Sequence, residues 1–140
     1  MKKYLILFLL ISNSLLAQGI SQDEIIGSWK AIEVEGLEKL PNKQAKIMVT
    51  MFLNATFKFQ EDFRFDLILK NKNGIMEKQL LKDLTNAKWI FDPDKSVISV
   101  GNKSDNYTIM QINVLEKETQ IYFLIKGSPV ILKVLKEGWN

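Results

Sequence analysis

At 140 residues the chain is long enough for one domain with a self-supporting core. It has no histidine and no cysteine, which removes the usual general base near neutral pH, the commonest metal ligands and the most activated nucleophile. Nineteen Lys and Arg stand against 16 Asp and Glu, a formal charge of +3 with the signs interspersed, so no basic patch marks a nucleic-acid-binding surface.

The chain opens Met1-Lys2-Lys3, continues with an apolar run from Tyr4 to Ile11, and then reads Ser12-Asn13-Ser14-Leu15-Leu16-Ala17. A basic start, a short apolar stretch and a small residue before a polar one form the pattern of a secretory signal peptide. This predicts a leader over residues 1–17, cleavage after Ala17, and a mature domain over 18–140 beginning at Gln18. The apolar run is shorter than the roughly 20 residues a membrane-spanning helix needs. No cysteine follows it for lipid attachment, and no second apolar run suggests a span. The expected location is outside the cytoplasm, periplasmic or secreted. Loss of Lys2 and Lys3 leaves 17 basic against 16 acidic residues, or +1. Small exported proteins often rely on disulfides; without cysteine this one must rely on its core.

Ser21-Gln22-Asp23-Glu24 reads as a capping box before Ile25 and Ile26, so a short helical turn is expected there. Gly27 to Glu35 reads as a first strand. The stretch from Gly36 to Lys46 is irregular and would cross the open mouth of a barrel as a lid, or serve as a plain connector. From Ile47 the odd positions Val49, Met51, Leu53, Ala55, Phe57 and Phe59 are all apolar. That alternation predicts one long strand, bent near Asn54-Ala55. Gln60-Glu61-Asp62 turns the chain into Phe63, Phe65, Leu67 and Leu69, a second strand pairing antiparallel with the one before.

Asn71-Lys72-Asn73-Gly74 follows, and Asn-Gly favours the positive φ angles of a hairpin. Ile75 to Leu81 is compatible with a strand or a helical turn, and is read here as a strand. Ala87, Trp89 and Phe91 alternate with Lys88 and Ile90 up to the turn Asp92-Pro93-Asp94-Lys95. Val97 to Val100, Tyr107 to Leu115, Gln120 to Lys126 and Val130 to Lys136 are further strands. About eight or nine short antiparallel strands at regular spacing, with no linker or repeat, predict an all-β protein whose sheet closes into a barrel.

Ile25-Ile26-Gly27-Ser28-Trp29-Lys30, a helical turn feeding a strand that begins Gly-x-Trp, resembles the start of a lipocalin. Lys88 to Asp92 and Tyr107 to Leu115 resemble strands of small bacterial lipocalin-like proteins. The resemblance covers the mature chain in strand order and implies an up-and-down β-barrel. It further implies that Gly27 and Trp29 form a structural plug at the closed end and that the barrel binds a small hydrophobic molecule. Typical members place an Arg over that Trp late in the chain. Here the single Arg is Arg64, and the last strand offers Lys133 or Lys136, either of which can lay its stem over an indole.

The paired carboxylates Glu61-Asp62 and Asp92/Asp94 fall in predicted turns, where acidic residues have a structural role. Asp92-Pro93-Asp94 lacks the multi-oxygen loop of a calcium site. No catalytic set, metal site or cofactor is therefore expected. Should the barrel hold a cavity, Phe57, Phe59, Phe65, Trp89, Phe91 and Phe123 would line it, Met51 would give an adaptable wall, and Tyr107 or Tyr122 a polar handle. Small barrels are also commonly filled by their own side chains. Two readings follow: an exported lipocalin-like protein with a small apolar ligand, or a filled barrel that interacts with proteins or the envelope without one.

Overall fold

The computed structural model describes residues 19–128 and 131–138, with the side chain of Met48 left aside. The expected leader, its cleavage site, Pro129, Val130, Trp139 and Asn140 lie outside the described residues.

Helix α1 (Gln22–Ile25) is the expected capped turn. The Ser21 hydroxyl accepts from the Glu24 N–H, and the Glu24 carboxylate accepts from the Ser21 N–H at 3.3 Å. Both ends of the box are thus closed, which offsets the free N–H groups of the first turn. Strand β1 (Gly27–Glu35) follows as read from the sequence, with a bulge between Ala31 and Glu33 where it pairs with the last strand.

The long strand expected from Ile47 is replaced by helix α2 (Lys43–Thr50), a turn, and a short strand β2 (Thr56–Phe59). Asn42 caps the helix, its side-chain oxygen accepting from the Ala45 N–H at 2.8 Å. The face that packs inward is Ala45, Val49 and Phe52, spaced by four and three residues, whereas Ile47 is 50 % exposed. The alternation in the sequence was real in β2 and accidental before it. Asn54 sits in the turn at φ 65°, a conformation that suits Asn.

Strand β3 (Phe65–Ile68) pairs with β2 as an antiparallel hairpin through the Gln60–Arg64 turn. Residues 75–81, expected as a strand, lie instead in helix α3 (Ile75–Asp83). Gly74 is its N-cap at φ −66°, so Asn73-Gly74 opens a helix rather than a hairpin. The inward residues Glu77, Leu80, Leu81 and Leu84 repeat with the helical period. The remaining strands are β4 (Lys88–Asp92), β5 (Val97–Gly101), β6 (Met110–Lys117), β7 (Gln120–Ile125) and β8 (Ile131–Lys136).

These eight strands form one antiparallel sheet in the order β3-β2-β1-β8-β7-β6-β5-β4. Every neighbour except β1 and β8 is consecutive in sequence, which is the up-and-down arrangement. The edges β3 and β4 are drawn together by a bridge between Arg64 and Lys88. The Phe65 N–H reaches the Ala87 carbonyl at 3.0 Å, and the Trp89 N–H reaches the Phe63 carbonyl at 2.9 Å. The sheet is therefore a nearly closed barrel, consistent with a calycin-like fold, and has little unpaired edge left to aggregate.

Up-and-down order puts alternate loops at opposite ends. The β1–β2, β3–β4, β5–β6 and β7–β8 connections, with α2 and α3, lie at one end, called here the mouth. The short turns β2–β3, β4–β5 and β6–β7, together with α1, lie at the closed end. Leu40, Val49 and Phe52 are buried, so the β1–β2 connection covers part of the mouth.

Candidate functional site

At the closed end, Trp29 is 5 % exposed and its indole N–H donates to the Ile25 carbonyl at 2.8 Å. That bond satisfies both the buried indole and a carbonyl at the end of α1. The Lys136 ammonium stands 5.5 Å from the Trp29 ring centroid and donates to the Glu24 carbonyl at 2.7 Å. Of the two lysines the sequence offered, Lys136 covers the indole, while Lys133 lies 3.9 Å from the Glu33 carboxylate. Gly27 has φ +135°, and a Cβ there would stand 2.7 Å from the Lys136 Cε. The backbone angle favours glycine at that position, and a side chain there would also displace the end of the lysine stem that crosses it.

Above the plug the barrel is occupied by rings. Phe57, Phe59, Phe65, Trp89 and Phe123 are each at most 2 % exposed. Phe123 meets Trp29 at 5.8 Å, Phe57 at 5.5 Å and Phe59 at 6.1 Å between centroids. Phe59 meets Phe65 at 5.3 Å and Trp89 at 5.5 Å. These are the tilted and edge-on geometries that aromatic quadrupoles favour. The Trp89 indole N–H donates to the Gln60 carbonyl at 3.0 Å, tying the cluster to the closed-end turn.

Five of the sequence-derived site residues, Phe57, Phe59, Phe65, Trp89 and Phe123, therefore come together, packed on protein side chains, while Phe91 is only half-buried. Met51 lies apart, half-buried at the mouth. It borders a cleft of about 330 Å³ that also takes Val49 and Phe52 from α2 and the turn after it, and Leu80 from α3. Ile109, Met110 and Ile125 complete the apolar wall, with Thr108, Gln111 and Lys126 beside them. Tyr107 is half-buried at φ 56° in the loop before β6 and borders neither this cleft nor the ring cluster. Val49, Phe52 and Leu80 escaped the sequence reading because both mouth helices were read as strands. Their helical spacing was the signal that could have found them.

A second groove of about 630 Å³ runs between α2 and the start of α3, lined by Lys43, Lys46, Lys70, Ile47, Met51 and Leu53, with Glu77 and polar neighbours.

Two of the turn carboxylates, Asp62 and Asp92, hold their turns. Asp62 pairs with the Arg64 guanidinium at 2.6 Å. Its carboxyl is held below the usual value, first by the hydrogen bond from the Arg64 backbone N–H and then by the guanidinium. Asp92 accepts from the N–H groups of Asp94 and Lys95. Among the described residues no group of three or more acidic side chains is placed to hold a metal ion.

The fold and site thus define an eight-stranded up-and-down barrel with a ring-filled interior and an apolar cleft at its mouth. No protein-family model, curated protein or solved structure matches the chain.

Proposed function

We propose that the protein is an exported, non-catalytic, lipocalin-like barrel that binds a small apolar molecule in the mouth cleft rather than in the lumen. The observation that carries this reading is the 330 Å³ cleft walled by Val49, Met51, Phe52, Leu80, Ile109, Met110 and Ile125. Its size falls at the small end of ligand sites, and its lining is the usual one: apolar side chains with a few polar groups at one side. Met51 and Met110 supply adaptable walls. Gln111 and Thr108 give a polar end to orient a ligand. The Gly27–Trp29–Lys136 arrangement supports the lipocalin-like reading of the closed end, and the leader pattern supports export.

A second reading is favoured by the ring cluster itself. A barrel already packed with Phe57, Phe59, Phe65, Trp89 and Phe123 can serve as a rigid scaffold for interaction with no ligand at all.

Native mass spectrometry of the protein purified from its host tests the two. The ligand reading expects a reproducible mass above the bare polypeptide, lost on denaturation and extractable into organic solvent. A bare mass, with no uptake of offered fatty acids or other small apolar metabolites, refutes it and leaves the scaffold reading.

A further inference from the structure

The near-neutral net charge conceals a separation along the barrel axis. The mouth connections, residues 36–55, 69–87, 102–109 and 126–128, carry nine lysines against four acidic residues, a local charge of +5. The closed end, residues 19–26, 60–64, 93–96, 118–119 and 137–138, carries two basic residues against seven acidic ones, or −5. The strands between them nearly cancel. All nine mouth lysines are exposed, and none takes part in the ion pairs found among the described residues.

The same end presents apolar side chains to water. Ile75, the first residue of α3, is 89 % exposed, Ile47 on α2 is 50 % and Met76 is 37 %. The groove between the two helices sets Lys43, Lys46 and Lys70 beside Ile47, Met51 and Leu53, with Glu77 as its one acid. Lysines around projecting aliphatic groups suit a surface that is anionic at its face and apolar beneath.

We propose that the mouth end docks on an anionic lipid surface, with lysines against headgroup phosphates and Ile75 inserted at the acyl boundary. The acidic closed end then points away by repulsion, which fixes the orientation of the barrel. A soluble acidic protein would satisfy the lysines but would leave the exposed Ile75 without a purpose, so the lipid surface is the better match. The inference does not depend on whether the mouth cleft takes a ligand.

Vesicle co-sedimentation tests it, using the protein in the form in which it accumulates in its host. Vesicles of phosphatidylglycerol mixed with phosphatidylcholine are compared with phosphatidylcholine alone. The expected result is binding to the anionic vesicles only, weakening as salt is raised. The double variant Lys70→Glu/Lys72→Glu should lower partition at least about tenfold, because each lysine near an anionic surface counts appreciably. Ile75→Ser should weaken it severalfold, and Glu61→Gln/Asp94→Asn at the closed end should not weaken it. All these side chains are exposed, so the variants should keep the unfolding midpoint, which is checked alongside. Equal partition onto both vesicle types would overturn the proposal, as would full binding by the lysine variant. Binding that is indifferent to Ile75→Ser would also overturn it, and would redirect the lysines to a soluble acidic partner.

Discussion

Lys136 holds Trp29 in place from the far end of the chain: its ammonium lies 5.5 Å from the indole centroid and donates to the carbonyl of Glu24 at 2.7 Å. One side chain from the last strand thus ties the N-terminal helix, the plug and the first strand together. Trp29 and Lys136 are also Cα partners across the β1–β8 pair, so the register of the sheet delivers the lysine to the ring. This is the position at which the lipocalin resemblance expects an Arg. A lysine keeps the charge and the stem but gives up the planar fork.

Replacing the lysine by methionine keeps most of the stem and removes the charge. Lys136→Met should therefore lower stability by about 1–2 kcal/mol, the loss of the cation–π contact and the charge-assisted hydrogen bond being partly offset by release of the burial cost on the ammonium. Urea unfolding checks this. A midpoint equal to that of the wild type would show that the contact contributes nothing.

Gly27→Ala introduces two faults at once, a left-handed backbone angle for an L-residue and a Cβ pressed on the Lys136 stem. The expected cost is about 1–3 kcal/mol. The double variant Gly27→Ala/Lys136→Ala relieves the steric part, so the two losses should be less than additive. Strict additivity in a double-mutant cycle would contradict the close approach.

Burial depresses the Lys136 ammonium below the ordinary value of 10.5, with the Glu24 carboxylate acting in the opposite sense. The unfolded chain then holds more protons than the folded one between the two values, so stability should rise with pH through that alkaline window. An NMR titration of the Lys136 Cε reads the group directly. A midpoint at or above the ordinary value would contradict the burial effect.

Trp29→Ala removes the plug and its bond to the Ile25 carbonyl, and should cost about 3–5 kcal/mol. Trp29→Phe keeps a ring but leaves that carbonyl without its indole partner, a loss of about 1 kcal/mol from the hydrogen bond. Thermal unfolding of both separates volume from hydrogen bonding. Equal losses for the two variants would mean that the ring's bulk is not what closes the barrel.

The strands were legible in the sequence where burial on one face alone determined the residue pattern. Ser21 to Ile25 carries the capping box and the turn, and the strand β1, Gly27 to Glu35, follows directly on consecutive residues. From Lys88 to Lys136 the strand series and the turn at Asp92–Lys95 fell close to where the alternation put them. The two mouth helices were not legible as such. Ile47, Val49 and Met51 mimic a strand, although only Val49 among them is fully buried. In α3, the expected role of Asn73-Gly74 as a hairpin turn hid a helical repeat at Glu77, Leu80, Leu81 and Leu84. The aromatic cluster was named residue by residue, but its packing was not, because alternation reads the same for a lined cavity and a filled one. The mouth cleft was missed with the helices that build it. The charge separation was invisible until topology assigned each loop to an end.

The central claim, that the lumen is filled by rings and that a ligand takes the mouth, is tested most directly by methyl NMR during titration with a medium-chain fatty acid. The account predicts shifts at Met51, Met110, Ile109 and Ile125, which border the cleft, with Ile98, Ile112 and Leu132 in the barrel wall unmoved. Shifts centred on Ile98, Ile112 and Leu132, fully buried side chains of β5, β6 and β8, would contradict it by showing that the ring cluster opens to admit the ligand.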